Sequence, residues 1–241
     1  MLHVYVQQAD EREPGRVSFR DCGARVPELW DAATGTRRVS EKWREEAGRT
    51  AVTLSLAKHE SVFVVFPAGD GVTTKYTKYT KCEDIATGPW TVEFESDALY
   101  RGPKDPVVME KLIDLSTSTD SAIKHYSGKI VYRTKFSAPS SLFPISSSLV
   151  LDLGEVSVTA KVNVNGKYAG GVCFAPYRLD ISPFVKEGEN DLEIEVCNLW
   201  VNRLVGDEGN PNRQTWTSIS CCDENTKLPK SGLVGPVLIH Q

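Results

Sequence analysis

The sequence predicts an all-β protein, a small β segment followed by a jelly-roll β-sandwich. Three observations carry that expectation. Apolar residues alternate with polar ones or fall in short blocks, which is the period of strands. Helical periodicity is nearly absent. Turn-forming residues punctuate the strand-like runs at short intervals, as they do in sandwiches and jelly rolls. At 241 residues the chain is long enough for one large β domain or two small ones.

The elements follow in order. Met1-Leu-His-Val-Tyr-Val reads as the opening of a strand. Ser40 to Ala47 is the one stretch with helical character, and it is short. Val52, Leu54 and Leu56 alternate, and Val62 to Phe66 is a compact run of the buried type. Pro67-Ala-Gly-Asp-Gly then breaks the pattern, and a basic, polar stretch follows. Strand character resumes at Trp90-Thr-Val-Glu-Phe94. These breaks predict a β segment over residues 1–67, a linker over 68–87 and a main module over 88–241.

Within the main module Leu149, Leu151 and Leu153 alternate, as do Val162 and Val164, and Leu192, Ile194 and Val196. Asn165-Gly166 is a strong hairpin signal because both residues tolerate positive φ. Gly188-Glu-Asn190 reads as a second turn. Ser182-Pro183-Phe184-Val185 has the form of a single helical turn, with serine capping and proline first.

Composition excludes several function classes. A net charge of −4 argues against a nucleic-acid partner, which needs a concentrated basic footprint. The basic-aromatic run from Lys75 to Lys81 reads as a solvated linker before it reads as a polyanion site. No run of about 18 apolar residues is present, so no membrane-spanning helix and no membrane partner are expected. The N-terminus has no basic region followed by an apolar stretch. We expect a fragment whose export signal lies upstream, and hence a periplasmic or secreted protein.

The six cysteines form no Cys-x-x-Cys pair, and no paired histidines accompany them, so no metal site is expected. Cys173 and Cys197 fall in apolar strand patterns, where a reduced cysteine behaves as a small hydrophobe. Cys221 and Cys222 are adjacent in a polar loop. No cofactor is expected. A structural calcium would need loop carbonyls, because no Asp-x-Asp-x-Asp-Gly run is present.

The main module resembles the galactose-binding-like sugar-binding domain of glycosyl hydrolase family 2. The resemblance rests on Trp90 to Phe94, Tyr126-Ser-Gly-Lys-Ile-Val-Tyr132, Leu151-Asp-Leu-Gly-Glu-Val156 and Val162-Asn-Val-Asn-Gly166. It continues through Ala175-Pro-Tyr-Arg178, Gly188-Glu-Asn190, Asn198-Leu-Trp200, Asn202-Arg-Leu204, Gly206-Asp-Glu208 and Ser231 to Pro236. Each is weak alone, and their shared order is strong. Arg25-Val-Pro-Glu-Leu-Trp-Asp31, Thr34-Gly35, Gly48-Arg-Thr50 and Ser61 to Phe66 resemble the β domain before that jelly roll in large bacterial α-L-rhamnosidase-like hydrolases. In such proteins the catalytic barrel lies upstream. The resemblance therefore implies a non-catalytic, carbohydrate-binding accessory region, with carbohydrate and an upstream barrel of the same polypeptide as its partners. A free-standing carbohydrate-binding module and a purely structural domain are the alternatives.

Glycoside hydrolysis needs two carboxyl groups flanking one bond. Among 32 acidic residues a pair can always be named, so no catalytic residue is assigned. Glu193 and Glu195 read as solvated positions on an outward strand face. Sugar binding asks for an aromatic face with amides, carboxylates or guanidinium groups beside it. Asn198, Trp200, Asn202 and Arg203 offer that chemistry just after a strand. If the strand persists, parity puts Asn198 and Trp200 on the core side, so Trp200 is also readable as a core plug and Asn198 as a loop pin. Asn202 and Arg203 are expected to be exposed, with Asp207 as a loop carboxylate that could pair with Arg203. Tyr177 and Arg178 follow Pro176 in an extended turn and could line the same end or pack at a junction. Trp216, in a long polar loop, is the most plausible exposed ring. His125 reads as ordinary surface, and Tyr126 as a plug at the start of a strand.

Overall fold

In a computed structural model the chain separates into two compact units, Met1–Lys78 and Tyr79–Gln241. The described residues are 2–6, 14–20, 25–32, 37–40, 42–56, 60–67, 82–84, 89–95, 102–140, 149–208, 210–213, 222–223 and 225–240. Trp216 and Cys221 lie outside them.

The described residues of the first unit form seven strands: β1 (Leu2–Val6), β2 (Pro14–Arg20), β3 (Glu28–Trp30), β4 (Arg37–Val39), β5 (Trp43–Glu46), β6 (Arg49–Ser55) and β7 (Ser61–Val65). They form two sheets, ordered β1-β7-β3-β4 and β2-β6-β5. The alternation at Val52, Leu54 and Leu56 and at Val62, Val64 and Phe66 buries those side chains with Phe19 and Leu29 in one cluster.

The helix expected over Ser40–Ala47 is not formed. Trp43–Glu46 is instead a strand paired antiparallel with β6, Trp43 opposite Val52 and Glu46 opposite Arg49. Ala47 and Gly48 both take positive φ, +47° and +71°, and close a two-residue hairpin whose twist suits antiparallel strands. Trp43 then packs on the apolar cluster. Tertiary packing and turn geometry outweigh a weak helical preference.

The described residues of the second unit form twelve strands in a jelly-roll sandwich. They are β8 (Cys82–Asp84), β9 (Trp90–Phe94), β10 (Val107–Met109), β11 (Lys129–Ala138), β12 (Val150–Asp152), β13 (Glu155–Val156), β14 (Thr159–Val164), β15 (Lys167–Val172), β16 (Arg178–Asp180), β17 (Gly188–Cys197), β18 (Leu233–Gly235) and β19 (Leu238–His240). One layer is a six-stranded sheet, β10-β9-β11-β17-β14-β15. The other is β16-β12-β19-β8, with the ribbon β13-β18 as a further pair. Among the described residues the unit also has two short α-helices, α1 (Ser121–Lys124) and α2 (Val201–Asp207), and a 3-10 turn at Leu115–Thr117. Among the described residues no helix is long and apolar enough to cross a membrane.

The strand period decides the core. Trp90, Val92 and Phe94, Ile130 and Tyr132, Val162 and Val164, and Leu192, Ile194 and Val196 all point inward and are buried. They meet Leu149, Leu151, Leu153, Ile181, Leu233 and Val237. Fully burying such a side chain is worth about 1.5–3 kcal/mol. Tyr132 keeps its hydroxyl satisfied by accepting from the Leu233 amide at 3.1 Å, and burial pushes its pKa up. Gly232 takes φ +84°, and a Cβ there would lie 2.4 Å from the Tyr132 hydroxyl, so only glycine fits.

The Asn165-Gly166 hairpin forms between β14 and β15, with φ +52° and +73°. Asn165 is also a clamp. Its amide donates to the Phe184 carbonyl and to Asn190 Oδ1, and its Oδ1 accepts from the Asp191 amide. Asn190 is fully buried and bonds back to Lys186 and Gly188. Gly188–Asn190 thus begins β17 rather than preceding it. A single turn does form at Ser182, closed by the Phe184 amide donating to the Ile181 carbonyl at 2.9 Å.

Cys173 and Cys197 are exposed, contrary to expectation. Cys197 follows Val196, so strand parity turns it outward, and Cys173 lies just beyond the end of β15.

Candidate carbohydrate site

Strand β17 ends at Cys197, so the parity argument for the following residues stops there. The chain turns at Asn198 and enters α2, which has Trp200 at its N-cap. Trp200 is 53% exposed rather than a core plug. Its carbonyl accepts from the amides of Arg203 and Leu204.

The polar residues around it are occupied by the fold. Asn198 donates to Ser231 Oγ at 2.7 Å and to the Tyr126 carbonyl at 3.4 Å, and accepts from the Gly232 amide at 3.0 Å. Asn202 is 2% exposed and donates to the Pro229 carbonyl at 3.1 Å. Its Oδ1 is buried and has no hydrogen-bond partner among the described residues. Arg203 pairs with Asp207 at 2.9 Å, one helical turn away, and both side chains are buried. The Arg203 amide donates to Ser127 Oγ, which in turn donates to the Leu199 carbonyl. The exposure expected of Asn202 and Arg203, and the loop expected around Asp207, are corrected here: α2 turns these residues inward.

His125, expected at the surface, is half-buried, and its ring lies against Gly206. A Cβ at Gly206 would sit 2.5 Å from the His125 ring. Burial first, then the Arg203 and Lys124 charges, lower the His125 pKa against the opposing pull of Asp207. Tyr126 is a buried plug whose hydroxyl donates to the carbonyls of Glu95 and Lys129.

Tyr177 and Arg178 have other partners. Tyr177 packs on the core, its hydroxyl 3.5 Å from the Val158 carbonyl, and burial raises its pKa. Arg178 Nε donates to Asp152 Oδ2 at 2.7 Å. Of the eight expected binding residues, the structure thus joins Asn198, Asn202, Arg203 and Asp207 into the scaffold of one rim, with Trp200 presented on it.

A second polar surface lies on the outer face of the six-stranded sheet. Register puts Thr91 opposite Arg133, Arg133 opposite Glu193, Glu193 opposite Asn163 and Asn163 opposite Tyr168. Arg133 Nε and Asn163 Nδ2 each donate to Glu193 at 2.8 Å. Arg133 also meets Glu93 at 2.6 Å. Burial pushes the Glu193 carboxyl up, but the bonds from Asn163 and Arg133 outweigh it and hold the pKa below the usual range. A groove of about 700 Å3 is lined by Thr91, Arg133, Glu193 and Asn163 together with Pro89, Lys135 and Asp191, and Tyr168 is not part of its lining. The outward parity of Glu193 was legible in the sequence. The alignment of Arg133, Asn163 and Tyr168 beside it was not, because it needs the register of four strand pairs. Among the described residues no group of His, Cys, Asp and Glu is arranged to hold a metal.

The comparisons agree with this architecture. Residues 108–230 match the profile described as glycosyl hydrolase 2 galactose-binding domain-like. A putative β-glucuronidase of Formosa agariphila is 36% identical over 181 residues, covering 65% of this chain and 15% of that protein. The solved rhamnosidase of Novosphingobium sp. PP1Y superposes over 100% of this chain with a TM-score of 0.83 and 36% identity. This chain covers 23% of that structure, so it spans less than a quarter of either relative. With more than half of its length inside the matched profile, the chain belongs to the glycosyl hydrolase 2 galactose-binding domain-like family.

Proposed function

We infer that this chain is a non-catalytic, carbohydrate-binding accessory part of a large rhamnosidase-like glycoside hydrolase. The observation that carries the reading is the likeness to the Novosphingobium rhamnosidase over the full chain, at less than a quarter of that protein's length. The acid and base of hydrolysis then belong to a barrel upstream in the same polypeptide, and the working compartment is the periplasm or the exterior. Trp200 is the candidate stacking ring of the rim, with Asn198, Asn202, Arg203 and Asp207 fixing the loops that present it, and Tyr177, Arg178 and Trp216 as further contacts. The internal bonding of the rim amides and charges favours one second reading, a domain that only supports its barrel.

Calorimetric titration of the full chain with rhamnose, galactose and pectin-derived oligosaccharides separates the two. Heat of binding with any of them supports the accessory role, and silence with all of them leaves the supporting domain. Turnover of aryl rhamnosides or aryl glucuronides by this chain alone would show that the catalytic groups are here after all.

A further inference from the structure

The geometry points to the outer face of the six-stranded sheet as a binding surface for a neutral pyranoside chain, read by the transverse row Thr91, Arg133, Glu193, Asn163 and Tyr168. This rests on the carbohydrate-binding reading above and assigns it a surface away from the rim residues.

Four features of the face support it. The row takes one residue from each of five neighbouring strands, each opposite the next, with a register shift between Val162 and Asn163 where β15 joins it. At about 4.8 Å between strands it spans roughly 19 Å, a length suited to an extended ligand. Its hydrogen-bonding groups are fixed before any ligand arrives. Glu193 takes one bond from Arg133 and one from Asn163, so the three side chains are already joined while Arg133 and Glu193 stay partly exposed.

The row also ends in a ring. Tyr168 is 62% exposed and shares the outward face with Asn163. It lies along β15 over Gly171, where a Cβ would stand 3.2 Å from the Tyr168 hydroxyl. Gly171 itself is opposite Lys161, another outward position. The missing side chain lets the ring lie low on the sheet, with a face open to the apolar side of a sugar. The groove alongside, of about 700 Å3, falls within the range of small-ligand sites.

Charge selects the class of ligand. Arg133 is already matched by Glu93 and Glu193, and Lys135 by Glu189 and Asp191. Lys129 and Lys161 are likewise matched by Glu95 and Glu195. The cations of β11 and β14 are thus paired, which disfavours a uronate carboxylate, while paired charges remain good partners for hydroxyls.

The test uses the full chain, with β-1,4-galactotetraose as the neutral probe and tetragalacturonate as the acidic one, read by calorimetry and by amide chemical shifts. The neutral probe is expected to shift amides of β14, β15 and β17. Tyr168→Ala should weaken it about tenfold, while Tyr168→Phe, which keeps the ring, stays within about twofold of the parent. Gly171→Val, which lifts the ring, should weaken binding as Tyr168→Ala does. Unchanged affinity in both Tyr168→Ala and Asn163→Ala overturns the row and leaves the accessory reading standing. Preference for tetragalacturonate overturns the neutral-chain assignment. No binding of either probe, or of the sugars named above, overturns the accessory reading and the row with it.

Discussion

The rim around α2 and the outer sheet face are built from the same chemistry and spend it differently. Each has a guanidinium paired with a carboxylate, and a side-chain amide on the same or a neighbouring element. At the rim, Arg203, Asp207 and Asn202 are turned inward by a short helix, and their polar atoms hold loops together. On the sheet face, Arg133, Glu193 and Asn163 stand on strands at outward parity, and their bonds leave them partly open to water. Residue type alone does not mark a binding surface. Whether the backbone turns the side chain toward the core or toward solvent decides it.

The contrast can be broken by mutation, and the largest effect is expected at the rim. Arg203→Met removes the guanidinium that pairs with the buried Asp207 carboxyl, which should cost about 3–5 kcal/mol in denaturant unfolding. A cost near zero would mean that the pair is hydrated and the rim is open. Asn198→Ala removes the three bonds that join the end of β17 to Tyr126, Ser231 and Gly232. It should cost about 1–3 kcal/mol by the same measurement.

A smaller effect follows from His125. Its folded pKa lies below the ordinary 6.5, chiefly through burial. As pH falls through 6.5, the unfolded chain takes up a proton that the folded chain resists. The second unit should therefore lose stability on acidification in that window, until the lower folded pKa is passed. His125→Gln should flatten this part of the stability profile, and an unchanged slope would place the titrating group elsewhere. The smallest effect belongs to the sheet face. Arg133→Ala breaks pairs that are largely exposed, and should cost less than about 1 kcal/mol, shrinking further as salt is added.

Much of the architecture was legible because strand periodicity is a local signal. The alternation at Leu192, Ile194 and Val196 and the Asn165-Gly166 pair lead directly to β17 and its neighbouring hairpin. The site was harder for two physical reasons. Helix α2 begins four residues after Cys197 ends β17, and at Trp200 it has no side-chain cap to announce it. Parity carried past Cys197 puts Trp200 inside, where the structure leaves it 53% exposed, and the exposure expected of Asn202 and Arg203 misses the inward face of α2. The sheet-face row failed differently. Apart from Asn163 and Tyr168, which face each other across the Asn165-Gly166 hairpin, its members lie far apart in the chain, and only long-range register brings Thr91, Arg133 and Glu193 into line with them. Ala47 shows the same limit on a small scale, since alanine with Gly48 at positive φ gives no turn signal of the Asn-Gly kind.

The clamp between Asn165 and Asn190 has a consequence for how such a surface could diversify. It fastens the backbone of β14 and β17 from behind. Outward residues on those strands can then be exchanged one at a time while the intervals between them stay constant. A lineage could retune what this face recognises as a typesetter changes letters in a locked frame, with the cost of each swap confined to the letter itself.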